Sequence, residues 1–97
     1  MFKRSPEVGL LANKPAALTE CLIFVTLDSN VNTVGNKLVM GNHPRKHIGV
    51  FTQGKVWNYS NTNNKVVSDL IATFKTKFTS AYNSPGSNVE FYYGKFI

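Results

Sequence analysis

The sequence predicts a small α+β domain, and three observations carry that prediction. His47-Ile-Gly-Val-Phe-Thr52 and Lys55-Val-Trp-Asn-Tyr59 flank Gln53-Gly54, the pattern of a β-hairpin with glycine supplying positive φ in the turn. Leu70, Ile71, Phe74 and Phe78 then fall at i, i+1, i+4 and i+8, the stripe of an amphipathic helix. Val89-Glu-Phe-Tyr-Tyr93 alternates as a last strand. Together they give a small antiparallel sheet with one main helix in the C-terminal half.

The other elements follow in chain order. Pro6 and Pro15 interrupt any long helix in the first twenty residues. Ala16 to Val25 fits either a short helix or a buried strand. Ala16, Ala17, Leu18 and Glu20 favour helix, and Ile23, Val25 and Thr26 favour strand, so the fold allows a short helix at the cysteine. Asp28 to Asn32 is turn chemistry, because Asx side chains bond their own backbone. Lys37-Leu-Val-Met40 is a short strand, followed by a loop from Gly41 to Lys46. Lys65-Val-Val67 extends the sheet, and Ser68 reads as the helix N-cap with Asp69 in the first turn. Asn83-Ser-Pro-Gly-Ser87 ends the helical pattern.

Length and composition bound the functional classes. Ninety-seven residues make a single domain, 1–97. With 42% hydrophobic and 16% charged residues the chain has enough apolar surface to offset the entropy of ordering. The single cysteine excludes an internal disulfide framework, and with only two histidines, His43 and His47, no closed zinc site is expected, nor any cofactor. The net charge of +6 admits nucleic acid, an anionic membrane face or an acidic wall polymer as partner. Six cations and three anions fall in residues 1–48, five and two in residues 49–97, so the charge is evenly spread. A nucleic-acid binder more often gathers its cations on one stripe. The longest apolar stretch is Cys21 to Val25, too short for a membrane span. Met1-Phe-Lys-Arg4 lacks the apolar stretch of a signal peptide, which gives a cytoplasmic location by default, or delivery outside by another system.

Three side chains form an ordered set for covalent chemistry: Cys21, His47 and Asn58. A thiolate attacks a carbonyl, an imidazole takes the thiol proton, and a third polar group holds the imidazole in one tautomer. Hairpin pairing about Gln53-Gly54 puts residue 60 opposite His47 and residue 58 one diagonal step away, within reach of a long side chain.

These residues resemble the NlpC-type and CHAP-type cysteine amidases and endopeptidases of the papain-like superfamily, which cut peptidoglycan. Glu20-Cys21-Leu22-Ile23-Phe24-Val25 stands where that family has an Asp-Cys-Ser-Gly-Phe-Val type motif opening a helix. Gly35-Asn-Lys-Leu-Val39 is similar to its Gly-Asp-Leu-Val strand entry, and His47-Ile-Gly-Val-Phe51 matches its His-Val-Gly-Ile-Tyr strand position by position. By that resemblance Cys21 is the nucleophile, His47 the general base and Asn58 the orienting residue. The implied reaction is hydrolysis of a cell-wall peptide amide, with Trp57, Tyr59 and Asn61 against the substrate. Leu22 and Ile23 replace the small residues the family carries after its cysteine.

The same residues admit readings of other classes. Cys21 in an apolar run is also a small buried hydrophobe. Trp57, Tyr59, Phe91, Tyr92, Tyr93 and Phe96 fill strand core, line a groove or stack on bases. The alternative function is therefore a non-catalytic binding or inhibitor protein, of the kind phages encode, that meets a protein or nucleic acid through a basic and aromatic surface near Arg45, Lys46 and Lys55. A third reading makes the chain one subunit of a larger assembly.

Overall fold

The computed structural model describes residues 8–35, 37–41 and 44–96. The leader expectation on Met1 to Arg4 and the loop residue His43 lie outside them. The chain runs β1 (Val8–Leu10), a 3₁₀ turn (Leu11–Asn13), β2 (Cys21–Leu27), a second 3₁₀ turn (Asp28–Asn30), β3 (Val31–Val34), β4 (Lys37–Met40), β5 (Lys46–Thr52), β6 (Lys55–Ser60), β7 (Lys65–Asp69), α1 (Ile71–Ala81) and β8 (Val89–Gly94). Six strands form one sheet in the order β1-β8-β2-β5-β6-β7, antiparallel at every pairing, and β3-β4 is a separate two-stranded ribbon. This is the small α+β architecture that the hairpin, the helical stripe and the last strand predict.

Two local expectations are corrected. No helix forms at the cysteine: Cys21 opens β2, in register with Phe51. The β-branched and aromatic run Ile23 to Thr26 is buried between two neighbouring strands, and that burial outweighs the helix propensity of the alanines before it. The helix also begins later than Ser68 suggests. Ser68 and Asp69 complete β7 opposite Trp57 and Val56, and the N-cap is Leu70, which makes no side-chain capping bond. Asp69 instead pairs with Lys77, two turns along α1, at 2.7 Å.

Strand alternation sorts the sheet into two faces. One carries Cys21, Ile23, Val25, Val56, Phe91 and Tyr93, and α1 lies over it with Phe74 fully buried and Ile71 and Phe78 packed beside it. Phe74 meets Phe78 at 4.7 Å and Phe91 at 6.0 Å between ring centroids, and Phe78 meets Tyr82 edge-on at 5.3 Å. Such pairs add roughly 0.5–1.5 kcal/mol each beyond the area they bury. The Leu11 turn closes the core.

Among the described residues no helix lies over the other face. It presents Leu22 and Phe24 from β2, Lys46, Ile48 and Val50 from β5, Lys55, Trp57 and Tyr59 from β6 and Val66 from β7, as the registers Leu22↔Val50, Phe24↔Ile48, Val50↔Trp57 and Tyr59↔Val66 require. At the β1/β8 end the face is closed: Tyr92 is buried, and β4 lies against β1.

Candidate functional site

Both faces of the β5-β6 hairpin carry side chains with chemistry to offer. The turn explains why they can be placed so closely. Gln53 and Gly54 both have positive φ, 55° and 77°, the two-residue turn whose twist matches antiparallel strands. Thr52↔Lys55, Phe51↔Val56 and Val50↔Trp57 then pair as the sequence spacing predicts.

On the helix side the structure brings His47 and Asn58 together. The His47 Nε2–H donates to Asn58 Oδ1 over 3.1 Å, which leaves Nδ1 without a hydrogen in the neutral ring. Gly49 makes the approach possible. A Cβ there would stand 2.8 Å from Val56 Cγ1, 3.0 Å from the Trp57 carbonyl oxygen and 3.3 Å from Asn58 Cβ. The His47 ring stacks on Phe78 at 4.8 Å between centroids, so α1 fixes its orientation as well. Asn58 is buried, and its amide nitrogen has one long contact, 3.5 Å to the Val56 carbonyl. A pocket of about 270 Å³ opens beside the pair, and Asn61 reaches its wall together with Ser60, Thr62 and Tyr82.

Cys21 is not part of this arrangement. Val25 is the Cα partner of His47, and Cys21 lies four residues back along the same strand. At about 3.3 Å per residue that is a separation of roughly 13 Å, far beyond a hydrogen bond. The thiol has no exposed surface, and burial pushes its pKa up, with the nearby Lys14 ammonium pulling weakly the other way. Both effects of burial oppose a nucleophilic thiolate. Among the described residues no group of three His, Cys, Asp or Glu side chains converges to hold a metal ion.

Trp57 and Tyr59, expected beside the substrate with Asn61, leave the sheet on the opposite face from His47 and Asn58. Tyr59 borders the pocket from its strand, but its neighbour across the sheet is Val66, on the open side. Their rings are held in place. The Trp57 indole N–H donates to the Thr52 carbonyl across the turn at 3.2 Å, and the Tyr59 hydroxyl donates to Asn64 Oδ1 at 2.5 Å. With their polar ends satisfied within the chain, the rings lie 38% and 47% exposed among Ile48 at 51%, Val50 at 38% and Val66 at 61%. Of the aromatics expected as core or groove, Phe91, Tyr92 and Tyr93 are buried, and Phe96 is exposed with these two.

This open apolar face is the feature the sequence left unassigned. The signal for it was present: Ile48 and Val50 alternate with His47, Gly49 and Phe51, so apolar side chains fall on both faces of one strand, while the sequence predicts one main helix to cover them. No family model, no curated protein and no solved structure matches the chain. No helix among the described residues is long and apolar enough to cross a membrane.

Proposed function

We propose that the protein is a non-catalytic binding module whose open sheet face docks another protein. The observation that carries this reading is the patch of Ile48, Val50, Trp57, Tyr59 and Val66 that no other described residue covers, on a six-stranded sheet. Contiguous exposed apolar surface on a small domain marks an interaction site. Trp and Tyr are the residues most enriched among interface anchors. Because the two rings are already fixed by internal hydrogen bonds, docking on them costs little side-chain entropy.

A protein partner fits this face better than a nucleic acid. The neighbours of the two rings are aliphatic, and aliphatic side chains offer no stacking surface to bases. Among the described residues of its strands, Lys46 and Lys55 are the cations on the face, with Glu90 on it and Glu20 at its border, whereas phosphate binding draws on many cations in one track. The cysteine amidase reading keeps the His47–Asn58 hydrogen bond in its favour, but the thiol it requires lies in the core, out of reach of the imidazole.

A displayed peptide library tests the proposal. Selection on the wild-type protein should yield binders that the Trp57→Ala/Tyr59→Ala double variant no longer retains, by at least 30-fold, which is about 2 kcal/mol. Binders that ignore both substitutions would place the interaction elsewhere and refute it.

A further inference from the structure

Among the described residues the open face has a recess. It lies where the β3-β4 ribbon meets the sheet, holds about 280 Å³, and is lined by Phe24, Met40, Lys46, Ile48 and the chain at His47. Phe24 and Ile48 are cross-strand partners and form its floor. Met40, at the end of β4, forms a wall that a flexible thioether can adapt to different shapes.

Position in the ribbon matters, because an isolated two-stranded ribbon is marginal in water. Here its base is clamped to the sheet. Asn30 Nδ2 donates to Thr26 Oγ1 and to the Gly41 carbonyl, both at 3.0 Å, and the Gly41 N–H returns to the Asn30 carbonyl at 2.9 Å. Thr26, fully buried on β2, donates its hydroxyl to the Arg45 carbonyl at 2.8 Å, which ties the start of β5 to the same point. Met40, next to Gly41, is thereby held at the recess that Phe24 also lines.

The rim of the recess is cationic. Lys46 is exposed, shares the face of Ile48 two residues on, and is in no ion pair with another described residue. The nearest acid on this face among the described strand residues, Glu90, lies two strands away beyond Thr26.

We propose that this recess is the specificity pocket of the docking face, and that it takes one large apolar side chain from a partner polypeptide carrying a carboxylate beside that side chain. The inference rests on the binding-module reading and names the partner's chemistry. The apolar floor selects the side chain, and Lys46 selects the charge next to it. The volume suits one side chain and not a lipid tail. Val50 and Trp57 continue the apolar track from the recess, so a polypeptide anchored there has further surface to lie on.

The test is an amide-resolved NMR titration of the whole protein with two probes, N-acetyl-Leu-Asp-amide and N-acetyl-Leu-Lys-amide, at low salt. The Asp probe should give saturable shifts at residues 24, 40 and 46–48 and bind about fivefold tighter than the Lys probe, the scale of one exposed ion pair. Lys46→Met, an exposed substitution, should bring that preference below twofold with the apolar contact kept. Equal binding of the two probes, or an unchanged preference in Lys46→Met, would overturn the assignment. Shifts confined to Trp57, Tyr59 and Val66 would remove the pocket and leave the open-face reading standing. No shift at either set, or shifts with an oligothymidine instead, would remove both.

Discussion

The thiol of Cys21 should be inert in the folded protein, and the size of that protection follows from its position. Cys21 has no exposed surface and begins β2, a central strand with β5 on one side and β8 on the other. Reagent reaches it only through an opening that separates β2 from its neighbours, which for this sheet amounts to most of the global stability. A domain of this length is stable by about 5 kcal/mol at the low end. At 1.36 kcal/mol per tenfold, alkylation by iodoacetamide at pH 8 should be slower than in the urea-unfolded chain by on the order of 10³ or more. The assay is a mass-resolved time course on wild type and His47→Ala. Removing His47 strips the ring that stacks on Phe78, so the variant should react at the same rate or faster, in proportion to stability lost. A catalytic pair demands the opposite sign. Rapid alkylation near pH 7 that disappears in His47→Ala would refute the core placement and restore the hydrolase.

Three further predictions concern the same geometry. Gly49→Ala should destabilise the fold by about 1–3 kcal/mol in urea titration, because the new methyl meets Val56 Cγ1 and the Trp57 carbonyl, neither of which can retreat; an unchanged midpoint would mean the strands separate more readily than described. Stability should fall as pH rises above the ordinary thiol value of 9.0. Burial raises the folded pKa of Cys21, so the unfolded chain loses its proton first and gains; Tyr82 and Tyr92, also raised by burial, extend the decline above pH 10. Cys21→Ala should flatten the first part of that decline, read as urea midpoints at pH 7.5 and 9.5. Asn30→Ala should speed amide hydrogen exchange in β3 and β4 by at least tenfold with little change in β2, because it removes two of the bonds that fix the ribbon.

The hairpin was legible because a glycine-containing two-residue turn fixes its own register, and that register put Asn58 one diagonal step from His47; the close approach at Gly49 and the stacking on Phe78 complete their meeting. The helix stripe was legible in Ile71, Phe74 and Phe78, all of which face the core. Its start was not. Ser68 and Asp69 have the chemistry of a cap, but pairing with Trp57 and Val56 holds them in β7, a constraint set by the partner strand and not by local sequence. Cys21 was ambiguous for a similar reason. Helix formers precede it and strand formers follow, and the decision came from the two strands that flank it. Whether Trp57 and Tyr59 lie in the core or on the surface depends on which face α1 covers, and spacing along the chain does not encode that choice.

Site-specific photo-crosslinking in the native host reads out which face of the sheet meets a partner. A benzoylphenylalanine placed at Ile48 or Val66, on the open face, is compared with one at Thr73 or Thr76, on the outer surface of α1. Docking through the open face predicts a discrete protein adduct from the open-face positions, lost when Trp57→Ala is added, and none from the helix. Adducts of equal strength from α1, adducts to nucleic acid, or open-face adducts unaffected by Trp57→Ala would contradict it.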